Sequence, residues 1–140
     1  AEASDQIRIT SFNIKWYGLH SRGGGESEEH RDPHLRSFIR TRLKTSDVIV
    51  LQEIVDPHRL QKRVMKKDYR CHTYRRSGIH QHVVLCHKPK FKFVRAPGES
   101  NFELESVASK SSKSRPALHG ILKNRKTGQP LLHIFGVHLK

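Results

Sequence analysis

Apolar and polar residues alternate loosely through residues 7–19 (IRITSFNIKWYGL), with β-branched types dominant, and this predicts a strand with a loop after it. Residues 20–31 hold three consecutive glycines among charged and small polar side chains and predict a flexible loop. The period then changes. Asp32 reads as an N-cap and Pro33 as the first helical position, followed by Leu35, Phe38, Ile39 and Leu43 at three-and-four spacing, an amphipathic helix with a basic outer face. Residues 47–53 (DVIVLQE) run apolar without a break until they meet a carboxylate, which predicts an interior strand covered on both faces. Asp56 and Pro57 repeat the cap-and-proline signature and open a second helix with Leu60, Val64 and Tyr69 on one stripe.

After Tyr69 the punctuation becomes that of β structure. Strands are expected in residues 70–76, 80–88 and 91–96, with a turn at Ser77 and Gly78, and 101–107 is a further candidate. Residues 115–124 and 129–139 flank a hairpin loop near Lys126, Thr127 and Gly128. Strand, helix, strand, helix and then a run of strands points to a layered α/β fold in one domain over residues 1–140. Cys71 and Cys86 flank the first hairpin and face each other in one register; two cysteines make no disulfide framework, so the core carries the stability whether or not they bridge.

A chain of 140 residues, 34% hydrophobic, suffices for one core, and no apolar run reaches the length of a membrane span. Charge narrows the partners. Lys and Arg number 27 against 13 Asp and Glu, and a formal charge of +14 attracts polyanions, nucleic acid, DNA or RNA, first among them. The same number also fits a basic protein with a solvated positive face. The run at 123–129 (KNRKTGQ) offers Lys123, Arg125 and Lys126 as phosphate contacts that do not read bases, and Trp16 near a strand end suits either stacking on a nucleotide or packing in the core. The chain opens on Ala1, which fits a removed export signal, hence a secreted or periplasmic protein, and equally a trimmed chain.

Four polar side chains stand at or near the ends of apolar strands: Asn13 in SFNI, Glu53 in LQE, Arg115 in SRPAL and His138 in GVHL. Taken singly they read as a satisfied amide, a cap or ion-pair partner, a surface cation and a structural histidine. Taken together, at strand ends where burial is costly without a partner, they form a candidate site.

The segments SFNIKWYGL, DVIVLQEI, SRPAL and FGVHLK resemble successive signatures of the endonuclease/exonuclease/phosphatase superfamily, the DNase I-like phosphodiesterases, and the resemblance runs from Ile7 to Lys140. It implies one half of a four-layer α/β sandwich, with mixed, mainly antiparallel sheets and helices outside. It implies Glu53 as a ligand of Mg²⁺ or Mn²⁺, Asn13 as an assistant at a metal-bound water or a phosphate oxygen, His138 at the scissile phosphate and Arg115 on a phosphate oxygen. The GDFN-like and SDH-like segments of the superfamily's second half do not occur in this sequence. A complete sandwich of this kind takes roughly 250 residues, so the remaining half is expected as a separate chain, as part of a longer product, or as a second copy.

Overall fold

The computed structural model describes residues 6–19, 27–75, 81–99, 101–104 and 116–138 and contains two sheets packed face to face. In chain order the elements are β1 (Ile9–Tyr17), α1 (Glu28–Arg42), β2 (Val48–Ile54), a short α2 (Pro57–Arg59) that widens into a π-helical turn (Leu60–Met65), β3 (Arg70–His72), β4 (His82–His87), β5 (Phe91–Val94), β6 (Leu118–Asn124) and β7 (Pro130–Gly136). The first sheet has the order β1-β2-β4-β3, with β1 parallel to β2 and the other pairs antiparallel. The second is the antiparallel meander β5-β6-β7.

The continuous apolar run in β2 has two faces to fill. Ile49 and Leu51 pack with Ile39 of α1 and with Leu60, Val64 and Met65 beyond α2, while Val48 and Val50 pack with Leu118 and Leu122 of β6. Each such fully buried side chain contributes about 1.5–3 kcal/mol. The second sheet sits close where Gly136 of β7 lets it: a Cβ there would stand 2.8 Å from a Val83 methyl and 3.2 Å from one of Val50. Within the second sheet, Gly120 of β6 makes room for the Phe93 ring of the neighbouring β5, which a Cβ would enter at 2.2 Å.

These contacts lay β7 over β2 and β4. His72 of β3 lies 5.5 Å from the ring of Phe93, which lays β5 beside β3. The outer edges of β1 and β7 therefore fall on one flank of the sandwich and those of β3 and β5 on the other. Among the described residues helices cover only the first sheet, so three of the four expected layers are present. No helix among these residues is long and apolar enough to cross a membrane.

Two expectations change. The loop expected over 20–31 gives way at Glu28, where α1 begins behind Ser27; residues 20–26 lie outside the described residues. Asp32 is accordingly no cap, and Pro33 lies inside the helix. Asp32 is buried and accepts hydrogen bonds from Tyr17 Oη at 2.5 Å and Arg59 Nε at 3.0 Å, a tertiary task in place of a cap. Glu28 and Glu29 in the first turn suit the helix dipole. The candidate strand over 101–107 supplies a single bridge, Glu103 to Leu118, before leaving the described residues. Asp56 does cap its helix, accepting from Arg59 N at 3.0 Å with Pro57 behind it.

Cys71 and Cys86 are direct partners across β3 and β4 and form a disulfide closing a separation of 15 residues. Replacing both by Ser is expected to lower unfolding free energy by about 3 kcal/mol, the loop-closure value for that length, in urea melts. Beside the bridge, His72 Nε2 lies 2.9 Å from His87 Nε2. Desolvation, with the fields of His87 and Arg125 behind it, pushes the His72 imidazole down to about 4. A depressed histidine favours the unfolded chain as protons bind, so its contribution is full above pH 6.5 and lost as pH falls toward 4. From pH 7 to 4.5 stability should fall by about 2–3 kcal/mol from this group. In His72→Phe that part of the pH dependence should be absent from urea melts at the two pH values.

Candidate active site at the strand ends

Because β1 and β2 are parallel, both deliver their C-terminal ends to the same end of the sandwich, with Asn13 opposite Gln52. Phe12 and Ile14 pack toward the helices, so Asn13 between them faces the other way, toward the space beyond the inter-sheet core.

Strict alternation would send Glu53 to the opposite face from Asn13, since it lies two residues after Leu51. An inserted residue prevents this. Leu51 pairs with Val84 but Ile54 pairs with His82, so two residues of β2, Gln52 and Glu53, oppose Val83 alone. Leu51 and Ile54 both stay in the helix-side core, and both residues between them leave it. Glu53 carries the insertion in its backbone at φ 62°, a left-handed value that a non-glycine residue adopts at a cost of about 1–2 kcal/mol. The result puts the Glu53 carboxylate on the same face as Asn13, one strand over.

Gln81 fixes it there. Gln81, the residue before β4, is buried, and its side-chain Nε2 donates to Glu53 Oε1 at 3.0 Å. Gln52 Nε2 donates to Ser11 Oγ at 2.9 Å and ties β2 to β1 just below. Beyond Asn13 the strand β1 also bulges, with Trp16 at φ 47°. The Tyr17 carbonyl then accepts from Val55 N at 2.7 Å and Asp56 N at 3.3 Å. Gly18, at φ 100°, packs so tightly on Asp56 that a Cβ there would stand 2.6 Å from the Asp56 Cβ. Below this turn, burial first and the Asp32 carboxylate second hold the Tyr17 hydroxyl far above the ordinary tyrosine range, so it stays a donor.

β7 runs toward the same end as β2. Ile134 and Gly136 face the inter-sheet core, and His138 follows two residues beyond with its Nδ1 atom buried. The structure thus gathers Asn13, Glu53 and His138 at one end of the sandwich. Arg115 lies outside the described residues. Trp16 is half-buried and follows Asn13 by three residues in β1.

Lys123, Arg125 and Lys126 do not join them. Phe91 pairs with Asn124, and Arg125 N donates to Lys90 O at 3.1 Å, so this hairpin tip stands at the opposite end, ~20 Å away along strands of seven residues. Gln81 went unread in the sequence, although the alternation Gln81, Val83, Leu85 marks it as a polar residue on a buried face.

No protein-family profile and no curated protein sequence matches the chain. Solved structures do. An endonuclease/exonuclease/phosphatase family protein from Bacteroides thetaiotaomicron superposes with TM-score 0.66 at 18% identity over 96% of this chain and 50% of its own. A mannosyl-6-phosphatase from the same organism gives 0.64 at 17% over 93% and 50%, and a humanized TDP2 from D. rerio 0.62 at 22% over 98% and 49%. The chain spans about half the length of these proteins and has the fold of that half.

The strained backbone at Glu53 has a measurable signature. In an ordinary strand glycine is worse than alanine by roughly 0.5–1 kcal/mol, and at φ 62° the order reverses. Glu53→Gly should be more stable than Glu53→Ala by about 1 kcal/mol in chemical denaturation; the ordinary order would show that the insertion lies elsewhere.

Proposed function

We propose that this chain, which carries one half of the endonuclease/exonuclease/phosphatase fold, supplies half of a divalent-metal-dependent site that hydrolyses phosphodiester bonds in DNA with little sequence preference. The carrying observation is the shared face of Asn13 and Glu53 at the ends of two neighbouring parallel strands, brought about by the inserted residue in β2. A carboxylate and an amide oxygen are the hard donors that Mg²⁺ or Mn²⁺ takes while keeping several waters, so the residues present fit such an ion, with Glu53 as its ligand. When bound, the ion supplies Lewis-acid stabilisation of the phosphate oxygens.

The chain's own residues have distinct tasks. Gln81 holds one carboxylate oxygen of Glu53 and leaves the other for the ion. Asn13 orients a water or a phosphate oxygen through its amide. His138 meets the scissile phosphate with an N–H, and Arg115 holds a non-bridging oxygen. A charge of +14 favours a long polyanion and supports contacts to the backbone rather than to bases. A small phosphoester is the second reading, favoured by the likeness to a mannosyl-6-phosphatase.

The remaining groups come from the second half of the fold, as a separate chain, as a further part of a longer product or as a second copy, set on the flank where β1 and β7 have open edges. Plasmid nicking by the protein together with that second half should require Mg²⁺ or Mn²⁺ and stop in EDTA. Glu53→Gln should lower turnover at least a hundredfold while salt-sensitive DNA binding persists. DNA binding without nicking under any divalent ion would reduce the protein to a binding module, and hydrolysis of a sugar phosphate but not of DNA would favour the second reading.

A further inference from the structure

The far end of the sandwich holds a cleft of about 510 Å³ between β3, β4 and β5, floored by His72 and His87 and ringed by Arg70, Lys92 and Arg125. None of these three cations forms an ion pair among the described residues, and no carboxylate lines the cleft. Arg125 is held in place by its backbone N–H on Lys90 O and by its Nε on Phe91 O at 3.2 Å. A second cleft of about 590 Å³ continues past His72 along the β3 and β5 edges and adds Arg75 and Arg95. The two clefts share His72, so basic side chains stand on both sides of it, on the flank away from the open edges of β1 and β7.

The floor has a defined hydrogen-bond order. His87 Nδ1 faces the Lys88 carbonyl at 2.8 Å, and a carbonyl only accepts, so the proton sits on Nδ1. Neutral His87 then has a bare Nε2, which accepts from His72 Nε2–H at 2.9 Å. Desolvation first, and then the fields of Arg125 and Arg70, lower His87. The groups facing the pair are thus Arg70 from β3, Lys92 from β5 and Arg125 from the β6–β7 hairpin, all cationic. Like charges gathered around a low-dielectric floor repel one another, and a multiply charged anion removes that cost.

We infer that this cleft is a second phosphate-binding site, remote from Glu53, that takes a phosphate group of a nucleic-acid backbone or a free phosphate. A metal cation is disfavoured at the same histidines because three positive side chains surround them. Basic side chains on both sides of His72 suit successive phosphates of one strand. Phosphate contacts here add to the affinity without adding sequence preference.

The test is NMR of the His72 and His87 ring protons, assigned by His72→Gln, during titration of the full chain at pH 7 with inorganic pyrophosphate in one arm and a mixed-sequence single-stranded oligonucleotide in the other. Saturable shifts in at least one arm are expected, and the responding arm identifies the source: oligonucleotide alone means backbone phosphate, pyrophosphate alone means a free phosphate, both mean a general phosphate site. Arg70→Gln with Lys92→Gln, two side chains that form no ion pair among the described residues, should weaken that binding at least tenfold and reduce the oligonucleotide salt slope by about 1.4. Unmoved resonances in both arms, or equal shifts and affinity in the double variant, would overturn the assignment.

Discussion

One extra residue in β2 sets the geometry of everything at the strand ends. Without it Glu53 would follow Leu51 into the helix-side core, where a carboxylate has neither water nor a cation and burial costs several kcal/mol. With it, Ile54 returns to that core in place of Glu53, so the sheet loses no apolar contact and the charge is turned to the other face. The left-handed φ at Glu53 is the cost of this exchange, and it is sustained because both neighbours of the bulge are anchored: Leu51 by the β4 ladder, Ile54 by β4 and by Tyr17 of β1.

The same logic reaches β1. Its own irregularity falls between Asn13 and Tyr17, so the two parallel strands lose their regular register together at the end where the polar residues stand. Tyr17 closes the system from below. Its carbonyl receives the chain entering α2, its hydroxyl reaches Asp32 in α1, and Arg59 completes the triangle on the same carboxylate at 2.8 Å. A buried carboxylate with two donors is satisfied, and the loop after β1 is thereby tied to both helices.

Local pattern was enough wherever burial alone decides. The apolar run of β2, the hairpin around Gly128 and the capped start at Asp56 all follow from period, turn chemistry and side-chain capping. It misled at Asp32, because an aspartate before a proline offers the same string whether it caps a helix or reaches across the fold to Tyr17 and Arg59. The face of Glu53 was illegible for a deeper reason. Alternation gives the wrong side, and only a backbone irregularity set by pairing with β4 corrects it. The basic hairpin at Lys123, Arg125 and Lys126 was legible as charge and illegible as location, since its distance from the strand ends depends on how three strands fold back.

The apolar residues left exposed are unevenly placed, and that unevenness links the core to the site. Ile9 on β1 is 48% exposed, Phe135 on β7 55% and Val137 just beyond it 50%. Both strands are sheet edges on one flank, and edges of this composition are normally paired or covered. Asn13 lies on one of these strands and His138 stands two residues beyond the other. Any element that pairs with β1 or β7 therefore stands beside the residues gathered at the strand ends, and it excludes water from the apolar edge in the same step. Pairing at either edge would bury apolar surface beside the residues at the strand ends, so the hydrophobic free energy of that pairing would be available to hold them in register.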